Sequence, residues 1–150
     1  MQMMPFVFMR RVIAQVPRSA KGLVWGCRGW QTAHMSRQLV NQHCATLPGA
    51  TVSDPWGGGH DCWKVGGKMF AVTGAMADHG VSVKCVDVET ATLLIDMGRG
   101  MRAPYLHQSW IRLPWGLIPD AELIERLTTS YQIIRQALPK KVRAGLGAVF

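Results

Sequence analysis

Residues 61–72 read DCWKVGGKMFAV. On either side of Gly66-Gly67 the large apolar residues recur at every second position, the period of a β-strand covered on one face. Two adjacent glycines between such runs match a two-residue hairpin turn, in which both central residues take positive φ. Pairing outward from that turn predicts Trp63, Val65, Lys68, Phe70 and Val72 on one face. Cys62, Lys64, Met69 and Ala71 fall on the other. The first face is apolar enough to receive helices, and the second carries Lys64.

The preceding residues, DPWGGGH at 54–60, invite two chemical readings. A Walker-type phosphate loop needs G-x-x-x-x-G-K-[ST] between a strand and a helix. Here the glycine triplet leads into a strand, and Gly67-Lys68 is followed by Met69, which has no hydroxyl for Mg²⁺. A dinucleotide fingerprint opens a helix, and none follows. His60 and Cys62, two apart in a strand, would point to the same side and could share a metal. The other ligands would have to come from distant His79, His107 or Cys85, which no spacing motif links to them. The stretch is read as a loop entering a hairpin, with neither a metal nor a cofactor.

Working outward, Ser36 is the predicted N-cap of a helix reaching about Leu47, with Leu39, Val40, His43, Cys44 and Leu47 on one stripe. Pro48-Gly49 stops it. Short β-type runs follow at 51–53, 61–65, 68–72 and 81–86. Asp87 caps a second helix to about Met97, with Gly98 just beyond. Residues 105–113 read as one or two strands. Pro119-Asp120 opens the longest helix, which buries Leu123, Leu127, Ile134 and Leu138 and closes before Pro139. A ragged basic tail ends the chain. Strands joined by tight turns, with helices before and after, predict an α+β fold with a mostly antiparallel sheet and helices on one face.

The chain has 150 residues, 48% of them hydrophobic and 17% charged, enough for a core without disulfides or metal. No apolar run is long enough to cross a bilayer. Its net charge of +8 is unevenly spread. Residues 1–34 hold five basic and no acidic residues, so the twelve Lys/Arg and nine Asp/Glu of residues 35–150 leave only +3. Residues 1–34 are expected to lie outside the fold, as a targeting segment or through a start placed upstream of Met35, and residues 35–150 to form the domain. Cys27, Cys44, Cys62 and Cys85 contain no Cys-x-x-Cys pair, which suits a reduced cytoplasm, with Cys44 and Cys85 as core thiols.

Several segments carry a family resemblance. These are Leu47-Pro48-Gly49-Ala50, the run 63–70 (WKVGGKMF), the run 81–85 (VSVKC), the segment 103–113 (APYLHQSWIRL) and Ser130-Tyr131. Together they resemble the MmcQ/YjbR family over roughly residues 35–145. The resemblance implies a fold similar to that of the bacterial frataxin CyaY, and it brings the family's usual description as DNA-binding. It does not carry iron binding, because residues 36–47 lack the acids of frataxin-type sites. Gln108-Ser109 departs from the Asn-Lys pair common in relatives, which removes a cation.

Strand alternation turns Lys64, Lys84, Trp110 and Arg112 outward, with Arg99, Arg102 and His107 near an edge. Cations contact phosphates and an exposed indole stacks on bases, so this face is the predicted contact for DNA without sequence preference. A Trp56/Trp110/Trp115 patch would instead mark a protein–protein or oligomerisation module with no nucleic-acid ligand. Catalysis is not expected: Ser109 and Ser130 have no motif-linked histidine and carboxylate, although His107 beside Tyr105 could do acid–base work.

Overall fold

The computed structural model describes residues 27–74 and 78–148, with side chains from Ser36 onward. Its elements run α1 (Cys27–Thr46), β1 (Ala50–Ser53), β2 (Asp61–Val65), β3 (Lys68–Thr73), β4 (Gly80–Lys84), α2 (Val88–Asp96), β5 (Met101–Arg102), β6 (Trp110–Pro114), α3 (Asp120–Gln136) and α4 (Lys140–Ala144). The strands form one six-stranded sheet in the order β1-β2-β3-β4-β6-β5, and every neighbouring pair is antiparallel. This is the α+β architecture expected from the sequence.

The hairpin turns where its glycines stand, with φ of 55° at Gly66 and 80° at Gly67. Its pairing departs from the simple register. Lys64 still faces Met69, but Trp63 faces Ala71 and Cys62 faces Val72, with a bulge at Trp63/Lys64. The extra residue is Phe70. Ala71 therefore joins Trp63 in the core, and Val72 moves to the opposite face from the one predicted. A bulge costs a ladder bond locally, and here it accompanies the entry of both Phe70 and Ala71 into the core. Phe70 meets Tyr131 edge-to-face, with ring centroids 5.4 Å apart.

The core lies between the sheet and the helices. Phe70, Val81, Val83, Ile111 and Leu113 from the strands pack with Val40 and Cys44 of α1 and with Leu127 and Tyr131 of α3. Each such fully buried aliphatic or aromatic side chain contributes roughly 1.5–3 kcal/mol. Asp87 caps α2 as predicted, its carboxylate accepting from Thr90 N at 2.6 Å. Ala91 and Leu94 bring α2 into the same core.

Two boundaries differ from expectation. The first helix begins at Cys27, and Ser36 is a buried interior residue rather than its cap. Serine is tolerated inside helices as well as at their starts, so its presence alone does not mark an end. Most of the expected 1–34 extension lies outside the described residues. The basic tail, expected to be ragged, forms α4, and Leu138 and Val142 close over the hairpin turn at Gly66. No described helix is long and apolar enough to cross a membrane.

Candidate functional site

The face of the sheet away from the helices carries a single row of side chains across all six strands. Cross-strand pairing aligns Ser53, Cys62, Val72, Ser82, Arg112 and Met101 in that order. Two residues along their strands, on the same face, stand Lys64, Lys84 and Trp110. The strands contain one acid, Asp61, and its side chain goes the other way. It accepts from Arg37 Nε at 2.7 Å and Asn41 Nδ2 at 2.9 Å, both on α1. Burial tends to raise the Asp61 pKa, but these two hydrogen bonds and the Arg37 charge outweigh it and hold the carboxyl below its ordinary value. The far face of the strands thus carries cations and no carboxylate.

This face is not flat. The β1–β2 loop brings Trp56 and His60 over one side of the row, and the β5–β6 loop brings Pro104, Tyr105 and Leu106 over the other. Between them lies a cleft of about 440 Å³ floored by Val72, Ser82 and Arg112. The first loop is built by its glycines: Gly57, Gly58 and Gly59 all have positive φ, which sends the chain back on itself. Asp54 fastens it by accepting from Gly59 N at 2.7 Å. That bond lowers the Asp54 pKa, aided by His60, whose Nδ1 stands 3.5 Å from Asp54 Oδ1. His60 braces Trp56 edge-to-face at 5.4 Å.

The second loop is fastened by Ser109. Its hydroxyl accepts from Lys84 Nζ at 2.7 Å and lies 2.9 Å from His107 Nδ1. Ser109 N also donates to His107 Nδ1 at 3.2 Å, so that nitrogen is the acceptor of both bonds and the ring proton sits on Nε2. Residues 105–109, expected to be strand, belong to this loop, and β6 begins only at Trp110. The chain passes through Tyr105 at φ 64°, the only non-glycine residue with positive φ among those described, and its ring is fully exposed.

The predicted contact residues divide. Lys64, Lys84 and Arg112 share the cleft face, and His107 stands beside them through Ser109. Trp110, expected outward and exposed, is only 8% accessible. Arg99 does not converge on the face: it bonds Glu122 of α3 at 3.0 Å on the helical side. Arg102 pairs opposite Ile111, a core residue, so its register also places it on the helical side of the edge. The expected three-tryptophan patch is reduced to Trp56, which is 61% exposed. Trp115 is half-buried, with its indole N–H donated to Asp78 at 3.1 Å.

Sequence reasoning named Trp56 as part of an exposed patch but not as a cleft wall, and it missed Pro104, Tyr105 and Leu106 as the other wall. The glycine triplet signalled a loop but not the surface it covers. Burial pushes the Cys62 and Cys85 thiols up and takes Cys44 to about 12.

A family model described as YjbR matches residues 45–133. The chain belongs to the YjbR family. The matched span contains all six strands, both loops of the cleft and Ser130-Tyr131, so the site lies within the part of the chain that matches YjbR. The crystal structure of Deinococcus radiodurans protein DR2400, described as a DUF419 domain, is similar over 71% of this chain and 84% of that one, with a TM-score of 0.63 and 24% identity. That likeness extends to the fold. No curated protein matches the chain.

Proposed function

We propose that this YjbR protein binds DNA through phosphate contacts on the cleft face, without reading sequence. The observation that carries this reading is the segregation of charge. Lys64, Lys84 and Arg112 lie on one face, while the single acid of the strands is turned away and neutralised by Arg37. Among the described residues Arg112 has no carboxylate partner, so a half-buried guanidinium faces the cleft with its charge unanswered. Unpaired guanidinium and ammonium groups suit phosphate oxygens.

The reading is of a binding protein rather than a catalyst. The Ser130 hydroxyl is engaged by backbone on both sides, the Ser109 hydroxyl is buried, and the thiols are held protonated.

The test is fluorescence anisotropy with labelled DNA across a salt series. Three phosphate contacts on duplex give a log–log slope of roughly −2.7. Combining Lys64→Glu, Lys84→Glu and Arg112→Glu abolishes binding while circular dichroism shows the fold intact. Binding by that triple variant equal to the parent at low salt would remove this face from the proposal.

A further inference from the structure

Resting on that reading, we infer that the cleft holds one unpaired base of a single strand, with the flanking phosphates on the cations of the sheet face. Two aromatic rings stand at opposite walls of the same cavity, Trp56 from one loop and Tyr105 from the other. Trp56 is 61% exposed and Tyr105 wholly so, although each is a large ring. Apolar area of this kind at a cleft mouth is retained where something stacks on it, and bases offer a planar face of any sequence.

The size of the cleft decides between a duplex and a single strand. A volume of about 440 Å³ lies within the range of pockets that enclose a small ligand, and no helical duplex enters it. A duplex could approach the cations only across the rims, whereas a single strand can follow them onto the floor. A strand with one splayed base places the ring between Trp56 and Tyr105 and its polar edge near Ser82 and Arg112. Both walls are preorganised: Asp54 and His60 hold the first loop, and Ser109 ties the second to Lys84. Tyr105 is also the residue held in a left-handed backbone that no packing of its own ring explains. Strain of that sort gathers where a side chain must be presented to a ligand.

The experiment compares an oligothymidylate, a mixed duplex of equal length and thymidine monophosphate, each titrated into the full chain. Parent protein is set beside Trp56→Ala and Tyr105→Asn, the latter because asparagine accepts positive φ. The single strand binds more tightly than the duplex. Each aromatic variant loses about fivefold or more of that affinity, since base–aromatic stacking supplies on the order of 1 kcal/mol or more per base. Duplex binding is unmoved by either variant. Equal or better binding of the duplex, or single-strand affinity indifferent to both rings, overturns the inference while leaving the proposed cation contacts standing. Thymidine monophosphate bound as tightly as the oligomer overturns it in favour of a free-nucleotide site. Loss of all binding, at low salt, overturns both readings together.

Discussion

Ser130, on α3, completes the sheet at Lys84. Its hydroxyl accepts from Lys84 N at 2.9 Å and donates to Phe70 O at 2.5 Å, standing where a rung between β3 and β4 would otherwise be. The Phe70 bulge pushes that stretch of β3 out of register with β4, whose direct pairing runs only from Val81 to Val83. A helix side chain thus satisfies two backbone groups that the bulge orphans, and it fixes α3 against the strands that carry Lys84 and the cleft.

Ser130→Ala leaves a buried N–H and a buried carbonyl without partners. The expected cost is about 1–3 kcal/mol in urea unfolding. Amide exchange at Lys84 should accelerate beyond the change in global stability. An unchanged Lys84 amide would show that another group bridges the gap.

Asp61 joins α1 to the far end of the same hairpin, and its folded pKa is lowered. A depressed carboxyl contributes stability above its unfolded pKa, near 3.9. That stability is lost as pH falls through the folded value. Asp61→Asn should therefore cost about 1–2 kcal/mol at neutral pH, and the gap from the parent should close as pH drops below roughly 4. Thermal melts at pH 7 and pH 3 measure both ends; a gap independent of pH would assign the loss to packing.

His43 hydrogen-bonds Thr128 at 2.9 Å between α1 and α3, and burial lowers its pKa. The folded state thus favours the neutral ring. Stability is intact above the unfolded histidine pKa, near 6.5, and falls as pH drops below it. His43→Gln should flatten the pH dependence of unfolding between about pH 7 and 5. Persistence of the parent slope would place the titration elsewhere.

Gly66 and Gly67 separate two costs. Both require positive φ, but a Cβ on Gly66 would approach Leu138 Cδ1 to 2.6 Å, whereas one on Gly67 meets nothing. Alanine at 67 should cost about 1–2 kcal/mol of backbone strain alone. Alanine at 66 should cost more, through displacement of the segment around Leu138, and equal melting temperatures would deny that contact.

Tyr105 offers an exchange between stability and binding. Tyr105→Gly relieves the left-handed strain and should raise stability by about 1 kcal/mol, while weakening single-strand affinity. A variant that is stabilised but binds as the parent would make the ring irrelevant to the ligand.

Much of this architecture was legible along the chain. The Gly66-Gly67 turn, the Asp87 cap, the buried stripe of α3 and the antiparallel order depend on neighbours a few residues apart, where φ preference and side-chain period act directly. Lys64, Lys84 and Arg112 were placed on one face by the same alternation. The burial of Trp110 was not legible, because alternation fixes which way a strand residue points and not what lies over it. Arg99 and Arg102 were misplaced for a related reason: at a two-residue edge strand, register decides the side, and a partner such as Glu122 is chosen in space.

The amino-acid order by itself determined which segments become strand or helix and which strand residues can share a face, because those outcomes follow from local backbone geometry. Only the tertiary structure decided that Phe70 bulges, that Ser130 fills the gap from residues 46 and 60 positions away, and that two loops wall the cationic face into a cleft. Those features arise from contacts between distant segments competing for the same core and the same hydrogen bonds, a competition that no short window of sequence contains.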